Sequence, residues 1–200
     1  RDAAFKGVQQ CLRTFMKGYP DDGGCEEGVS YWDCAGASFF ESLYFMQFAP
    51  KQAVLTLTDA QKKKVENMGR FITTMYIDDL TFVNFSDAQA QNVPNINILF
   101  PYGEFLQNEQ MMQLAAYVGK KYQYTLKPTT LFLKSGNYPK LGRELMLLSM
   151  LPKYQATAAV EPKTEDAYLE NSQIMVASNK NWFVAAKGGN NAARHNHNDI

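Results

Sequence analysis

The chain predicts a mainly α-helical protein with antiparallel strands confined to its C-terminal end. Two observations carry this. Through most of residues 1–154, apolar side chains recur at spacings of three and four, the period of a helix with one buried face. After Pro152 the texture changes to a stretch rich in Ala, Thr, Glu and Pro, followed by two apolar runs, 172–177 and 182–186. Ser178-Asn179-Lys180-Asn181 separates those runs, so they read as two antiparallel strands joined by a hairpin turn. Helices followed by strands, not alternating with them, argue for two domains and against a βαβ fold. The predicted organisation is a helical domain over residues 1–154, a linker over 155–171 and a strand domain beginning within 172–200.

Phe5, Val8, Leu12, Phe15 and Met16 fall on one stripe of a first helix. Gly18-Tyr19-Pro20-Asp21-Asp22-Gly23-Gly24 breaks it, because Pro and Gly together cannot continue a helix. A second helix is expected over residues 30–47, with Trp32, Ala35, Phe39, Leu43 and Met46 inward, ending before Pro50. Thr58-Asp59 can cap a third, which carries Val65, Met68, Phe71, Ile72 and Met75 on its buried side. Asn92-Val93-Pro94-Asn95 and Pro101-Tyr102-Gly103 punctuate a short helical piece. Asn108 can cap the next helix, with Met111, Met112, Ala115 and Val118 inward. A last helix over residues 139–150 contains Leu141, Leu145 and Leu148. Helix after helix on short turns suits a toroid of paired helices. The methionine and aromatic stripes read as core and not as a cofactor box.

The chain has 200 residues, 46% of them hydrophobic, enough to bury a sizeable core. Lys plus Arg number 20 and Asp plus Glu number 20, so no polybasic arm suggests nucleic acid and no acidic tail suggests a disordered activator. A polyanionic substrate would need a local basic cleft. Lys62-Lys63-Lys64, Lys120-Lys121, Lys187 and Arg194 are scattered candidates, and the first two groups read as ordinary solvated helix faces. Cys11, Cys25 and Cys34 form no CxxC pair, and their odd number leaves at least one thiol free. No apolar run approaches the length of a membrane span. The chain lacks an initiator Met and stops inside a motif, so it reads as a piece of a longer protein, in which a missing signal peptide says nothing about location.

Two stretches carry the chemistry. The C-terminal one, from Lys187-Gly188-Gly189-Asn190-Asn191 through His195-Asn196-His197-Asn198-Asp199, holds both histidines two positions apart, directly behind a predicted strand. In extended chain, side chains at i and i+2 leave the same face, so two imidazoles can enter one cavity as ligands, proton carriers or one of each. The alternative is a solvated tail. The other stretch is the acidic, glycine-rich loop Asp21-Asp22-Gly23-Gly24-Cys25-Glu26-Glu27-Gly28, which opens onto Tyr31-Trp32. By itself it reads more readily as a helix start, where carboxylates favour the positive end of the macrodipole.

In this order, Asp22-Gly23-Gly24, Glu27-Gly28, Tyr31-Trp32 and the closing Lys-Gly-Gly-Asn to His-Asn-His-Asn-Asp segment resemble the heparinase II/III-like polysaccharide lyases. The resemblance covers nearly the whole chain. It implies an incomplete (α/α) toroid segment followed by the first strands of an antiparallel β-sandwich. Arg194 departs from the acidic or small polar residue that relatives often carry, and the later strands and the first toroid helices would lie beyond this chain. The implied reaction is β-elimination on a uronic-acid-containing polysaccharide or oligosaccharide, by an exported protein, periplasmic or secreted.

That reaction removes the C5 proton of a uronate and expels the glycosidic oxygen from C4. It needs the C6 carboxylate neutralised, a base at C5 and an acid at O4. The resemblance implies Tyr31 as the general acid, also the base on some epimers, and His195 as base or charge neutraliser. His197 would ligate a zinc ion in the full-length protein. Two histidines cannot close a tetrahedral zinc shell, so no tightly held zinc is expected in these residues alone. Glu27 would orient Tyr31 or touch a sugar hydroxyl, with helix capping equally open. Trp32 would offer a stacking platform, with core packing the more ordinary role, and Asn191 would touch substrate. Two other functions remain open. Asp21, Asp22, Glu26 and Glu27 could supply the paired carboxylates of a glycoside hydrolase, or the fold could bind carbohydrate without turnover.

Overall fold

The computed structural model describes residues 2–50, 54–123 and 141–189. It is mainly α-helical, with a small antiparallel three-stranded sheet at the C-terminal end. No helix among the described residues is long and apolar enough to cross a membrane.

Helix α1, Asp2–Gly18, buries fully only Met16; Leu12 and Phe15 pack half-buried against the core, and Val8 is exposed. Lys64, predicted to be solvated, instead ends this helix. Its ammonium donates to the carbonyls of Met16 at 2.9 Å and Tyr19 at 2.7 Å and pairs with Asp21 at 2.6 Å. A cation on otherwise unpaired C-terminal carbonyls offsets its own burial.

The single helix expected over residues 30–47 is two. A one-turn α2, Val29–Trp32, is followed by a break and then α3, Gly36–Met46. The break has a visible cause. The Asp33 carbonyl accepts from Ser38 Oγ at 3.0 Å and from Arg143 Nη2 at 3.1 Å, and Ala35 takes a non-helical φ of −103° and ψ of −96°. On α3, Phe39 and Met46 are buried as expected, joined by Phe40, which stacks on Tyr102 at 4.1 Å.

Helix α4, Asp59–Thr74, starts where predicted. Thr58 Oγ1 accepts from Gln61 N–H at 3.3 Å while Gln61 Oε1 accepts from Thr58 N–H at 2.9 Å, a complete capping box. Val65, Met68, Phe71, Ile72 and the following Met75 are all buried. A short hairpin that the sequence did not announce comes next, β1, Tyr76–Asp78, with β2, Thr81–Phe82. Its turn residues Asp79 and Leu80 have φ of 39° and 63°, a region that a branched residue rarely occupies. Burial of Leu80 and the Glu161 carboxylate, which accepts from Asp79 N–H at 2.9 Å and from the Tyr76 hydroxyl, hold it there.

Helix α5, Ile96–Leu106, runs through Pro101, which was expected to end it. Every residue from Ile96 to Gly103 is buried, so this helix is surrounded by the others, and packing outweighs the missing Pro N–H. Asn108 caps α6, Glu109–Lys121, accepting from Met111 N–H at 3.1 Å. In α7, Leu141–Ser149, the predicted apolar stripe faces outward: Leu141, Leu145 and Leu148 are each 50% exposed, while Arg143, Met146 and Leu147 are buried. Arg143 sets that rotation. Its guanidinium donates to Glu41 at 2.7 Å, Ser38 Oγ at 2.9 Å and the Asp33 carboxylate. A short α8, Leu151–Ala156, follows.

The predicted hairpin is present as β4, Ile174–Asn179, paired antiparallel with β5, Trp182–Lys187. A third strand, β3, Ala167–Leu169, pairs with β4 and lies inside the stretch read as linker. Ile174 and Val176 point inward and join the same apolar core as the helices. On the opposite face of the sheet, Tyr168, Met175, Val184 and Trp182 are exposed.

Candidate functional site

The acidic glycine loop owes its shape to Asp22. Its carboxylate accepts from Gly24 N–H at 3.0 Å, from Ser172 N–H at 2.7 Å and from Ser172 Oγ–H at 2.8 Å, while Asp22 N–H donates to Asn171 Oδ1 at 3.2 Å. Ser172 comes so close that a Cβ on Gly24 would lie 1.9 Å from its Oγ and 2.6 Å from its Cβ. Gly24 is therefore glycine for lack of room. Asn67 Nδ2 adds a 2.9 Å bond to the Asp21 carbonyl.

The next residue along, Gln173, receives the other motif. Its carbonyl accepts from Gly188 N–H at 2.7 Å. Residues 171–173 thus anchor the Asp-Gly-Gly loop on one side and the Lys187-Gly188-Gly189 segment on the other. A second bridge joins them. The Lys187 ammonium sits 5.6 Å from the centre of the Phe85 ring, and the Phe85–Ala88 backbone packs on Gly28, whose φ of 87° and lack of a Cβ allow it. A Cβ on Gly28 would lie 2.4 Å from that of Ala88. Ser30 Oγ then accepts from Gln89 N–H at 2.9 Å.

Between these anchors α2 turns once and separates its two aromatic residues. Val29 and Trp32 go into the core, and Tyr31 stays on the surface with 39% of its area exposed. Trp32 takes the core-packing role and does not offer the stacking platform. It is 1% exposed, and its indole N–H donates to the Met68 carbonyl at 2.6 Å, so neither ring face is open to a sugar. Glu27 is half-buried and lines a hollow of about 450 Å³ with Phe15, Tyr19, Cys25 and Glu26, a hollow whose lining does not include Tyr31. His195, His197 and Asn191 lie outside the described residues.

Inside the loop, burial pushes the Cys25 thiol up to about 11, and burial with the neighbouring Cys25 raises the Tyr19 phenol. Neither group is therefore poised to give up a proton near neutrality. A second, polar hollow of about 600 Å³ is lined by Arg70, Asn108, Glu109, Lys163, Glu165 and Asp166 among others, and of the described site residues neither Tyr31, Glu27 nor Trp32 lines it. Among the described residues no group of three or more His, Cys, Asp or Glu side chains is placed to hold a metal ion.

In the sequence Asp22 stands out as part of the Asp-Gly-Gly motif and as one of several loop carboxylates, and Ser172, Gln173, Phe85 and Lys64 do not stand out as site-building residues. Nothing local marks them, because each acts on a segment remote in sequence. No known family model matches the chain, and no curated protein matches it.

Proposed function

We propose that the chain belongs to a β-eliminative polysaccharide lyase that acts on a uronic-acid-containing polysaccharide, with Tyr31 as its proton donor. One observation carries the reading: the Asp-Gly-Gly loop that leads to Tyr31 and the Lys-Gly-Gly segment that leads to the histidines are anchored on the consecutive residues Ser172 and Gln173. Two motifs at opposite ends of the chain thus start from one place, as a bipartite acid–base site requires.

In this reading the hydroxyl of the surface residue Tyr31 protonates the glycosidic oxygen as it leaves C4. His195 takes the C5 proton or neutralises the C6 carboxylate, which stabilises the enolate-like transition state. Glu27 and Asn191 contact the sugar or orient Tyr31. His197 is one ligand of a zinc ion in the full-length protein. The described residues add no further ligand set, and no step is derived through the metal. The helices belong to an (α/α) toroid. The exposed outer face formed by Tyr168, Met175, Val184 and Trp182 suits one layer of a two-sheet sandwich. The protein would be exported, where acidic polysaccharide is met.

A glycoside hydrolase built on the loop carboxylates is less well supported, since Asp22 is engaged with Ser172 and Gly24 and Asp21 pairs with Lys64. Elimination leaves a conjugated C4–C5 double bond that absorbs ultraviolet light, and hydrolysis leaves none. The test is to incubate the full chain with heparan sulfate, hyaluronan and alginate and follow that absorbance. Tyr31→Phe should lower kcat by about 10²- to 10⁴-fold while substrate binding is retained. Full activity in that variant would remove Tyr31 from the mechanism, binding without any turnover in the wild type would leave a carbohydrate-binding protein, and absence of unsaturated product from all polymers would remove the lyase.

A further inference from the structure

We propose that Asp22 is a positioning residue, a clasp that sets the separation between the tyrosine-bearing loop and the segment leaving β5. The inference rests on the lyase reading for its catalytic consequence, though not for the clasp itself. Asp22 does not need to touch substrate. Both of its carboxylate oxygens accept from Ser172, at 2.7 and 2.8 Å, and one also holds Gly24 N–H at 3.0 Å. Its own N–H reaches Asn171 at 3.2 Å. Ser172 is covalently next to Gln173, whose carbonyl holds Gly188 N–H at 2.7 Å.

The second bridge, from Lys187 through Phe85 to Gly28, closes a circuit around the loop. Residues 22–30 are therefore pinned at both ends against the chain that carries the Lys-Gly-Gly motif. Tyr31 follows immediately, on a helix too short to fix its own direction. Release of the Asp22 end would let the loop and β5 separate without disturbing the helical core, because none of the Asp22 bonds reaches α3–α6. Misplacement of reacting groups by about 1 Å costs about 10²-fold in rate.

Asp22→Asn keeps the size of the side chain but turns an amide N–H₂ toward the Ser172 N–H that the second carboxylate oxygen now serves. Ser172→Ala removes only the hydroxyl bond and is the milder variant. Two readouts decide the proposal. In the intact chain, amide exchange at Ser172 and Gly188 should rise about tenfold in Asp22→Asn, with a smaller rise in Ser172→Ala and none in α4–α6. On whichever of heparan sulfate, hyaluronan or alginate the wild type cleaves, kcat should fall at least about tenfold with KM changed less than about twofold, since no ground-state contact is lost.

Unchanged exchange at Gly188 in Asp22→Asn overturns the clasp. A raised KM with unchanged kcat overturns it as well, by making Asp22 a substrate contact. If the wild type cleaves none of the polymers, the lyase reading falls alone, and amide exchange still decides whether Asp22 couples the two segments.

Discussion

Arg143 and Cys25 illustrate how single side chains in this molecule owe their character to where they are held. Arg143 is 8% exposed, and its guanidinium donates to Asp33, Ser38 and Glu41, so removing it strands two carboxylates in a partly buried cluster. Arg143→Met should cost about 3–5 kcal/mol, the usual effect of deleting one partner of a buried ion pair, read from urea unfolding. Cys25 behaves oppositely, as a buried neutral group. Its folded-state value of about 11 stands above the ordinary 9.0, so the native state holds its proton while the unfolded chain releases it. The stability this contributes is complete below pH 9 and is lost as the pH rises through about 11, with Tyr19 and Tyr76 adding in the same direction. At pH 8 an alkylating reagent should modify the exposed Cys11 and Cys34 and spare Cys25, with mass spectrometry as the check. Tyr31 and Trp32 make the residue-scale limit plain. The sequence presents them as a pair, and only the packed core, with Tyr102 and the Met68 carbonyl beside Trp32, decides which of the two is buried.

At the scale of elements, starts were legible where the partner is local. Thr58 and Asn108 cap α4 and α6 as read, because each cap bond closes over three residues. Thr58→Ala should cost about 1 kcal/mol and lower Tm, measurable by thermal unfolding, without changing the fold. The β4–β5 hairpin was legible for the same reason: its Asn179 side chain accepts from Asn181 and Trp182 N–H within the turn. The break between α2 and α3 and the rotation of α7 were not legible. The rotation follows from Arg143, and the break from Arg143 together with Ser38; the partners of Arg143 are 102 to 110 residues away. A stripe of Leu141, Leu145 and Leu148 satisfies the helical period yet faces outward, because a multiply bonded guanidinium outweighs the hydrophobic preference of one face. The β1–β2 turn, with no glycine or asparagine to announce it, similarly depends on Glu161.

For the whole molecule, the sequence by itself determined the mainly helical character, the position of most helices, two of their caps and the C-terminal hairpin. It also supplied the two motifs from which uronate elimination is proposed. These features come from hydrogen bonds and apolar periods that close within a few residues, so composition and spacing suffice to read them. Tertiary structure alone decided that the strands share one core with the helices, that Tyr31 is outward and Trp32 inward, and that Asp22 and Gln173 bring the two motif segments to one place. Asp22 and Ser172 are 150 residues apart. A carboxylate carries no mark of the amide it will meet at that distance, because the close approach exists only after the packed core has brought both backbones together.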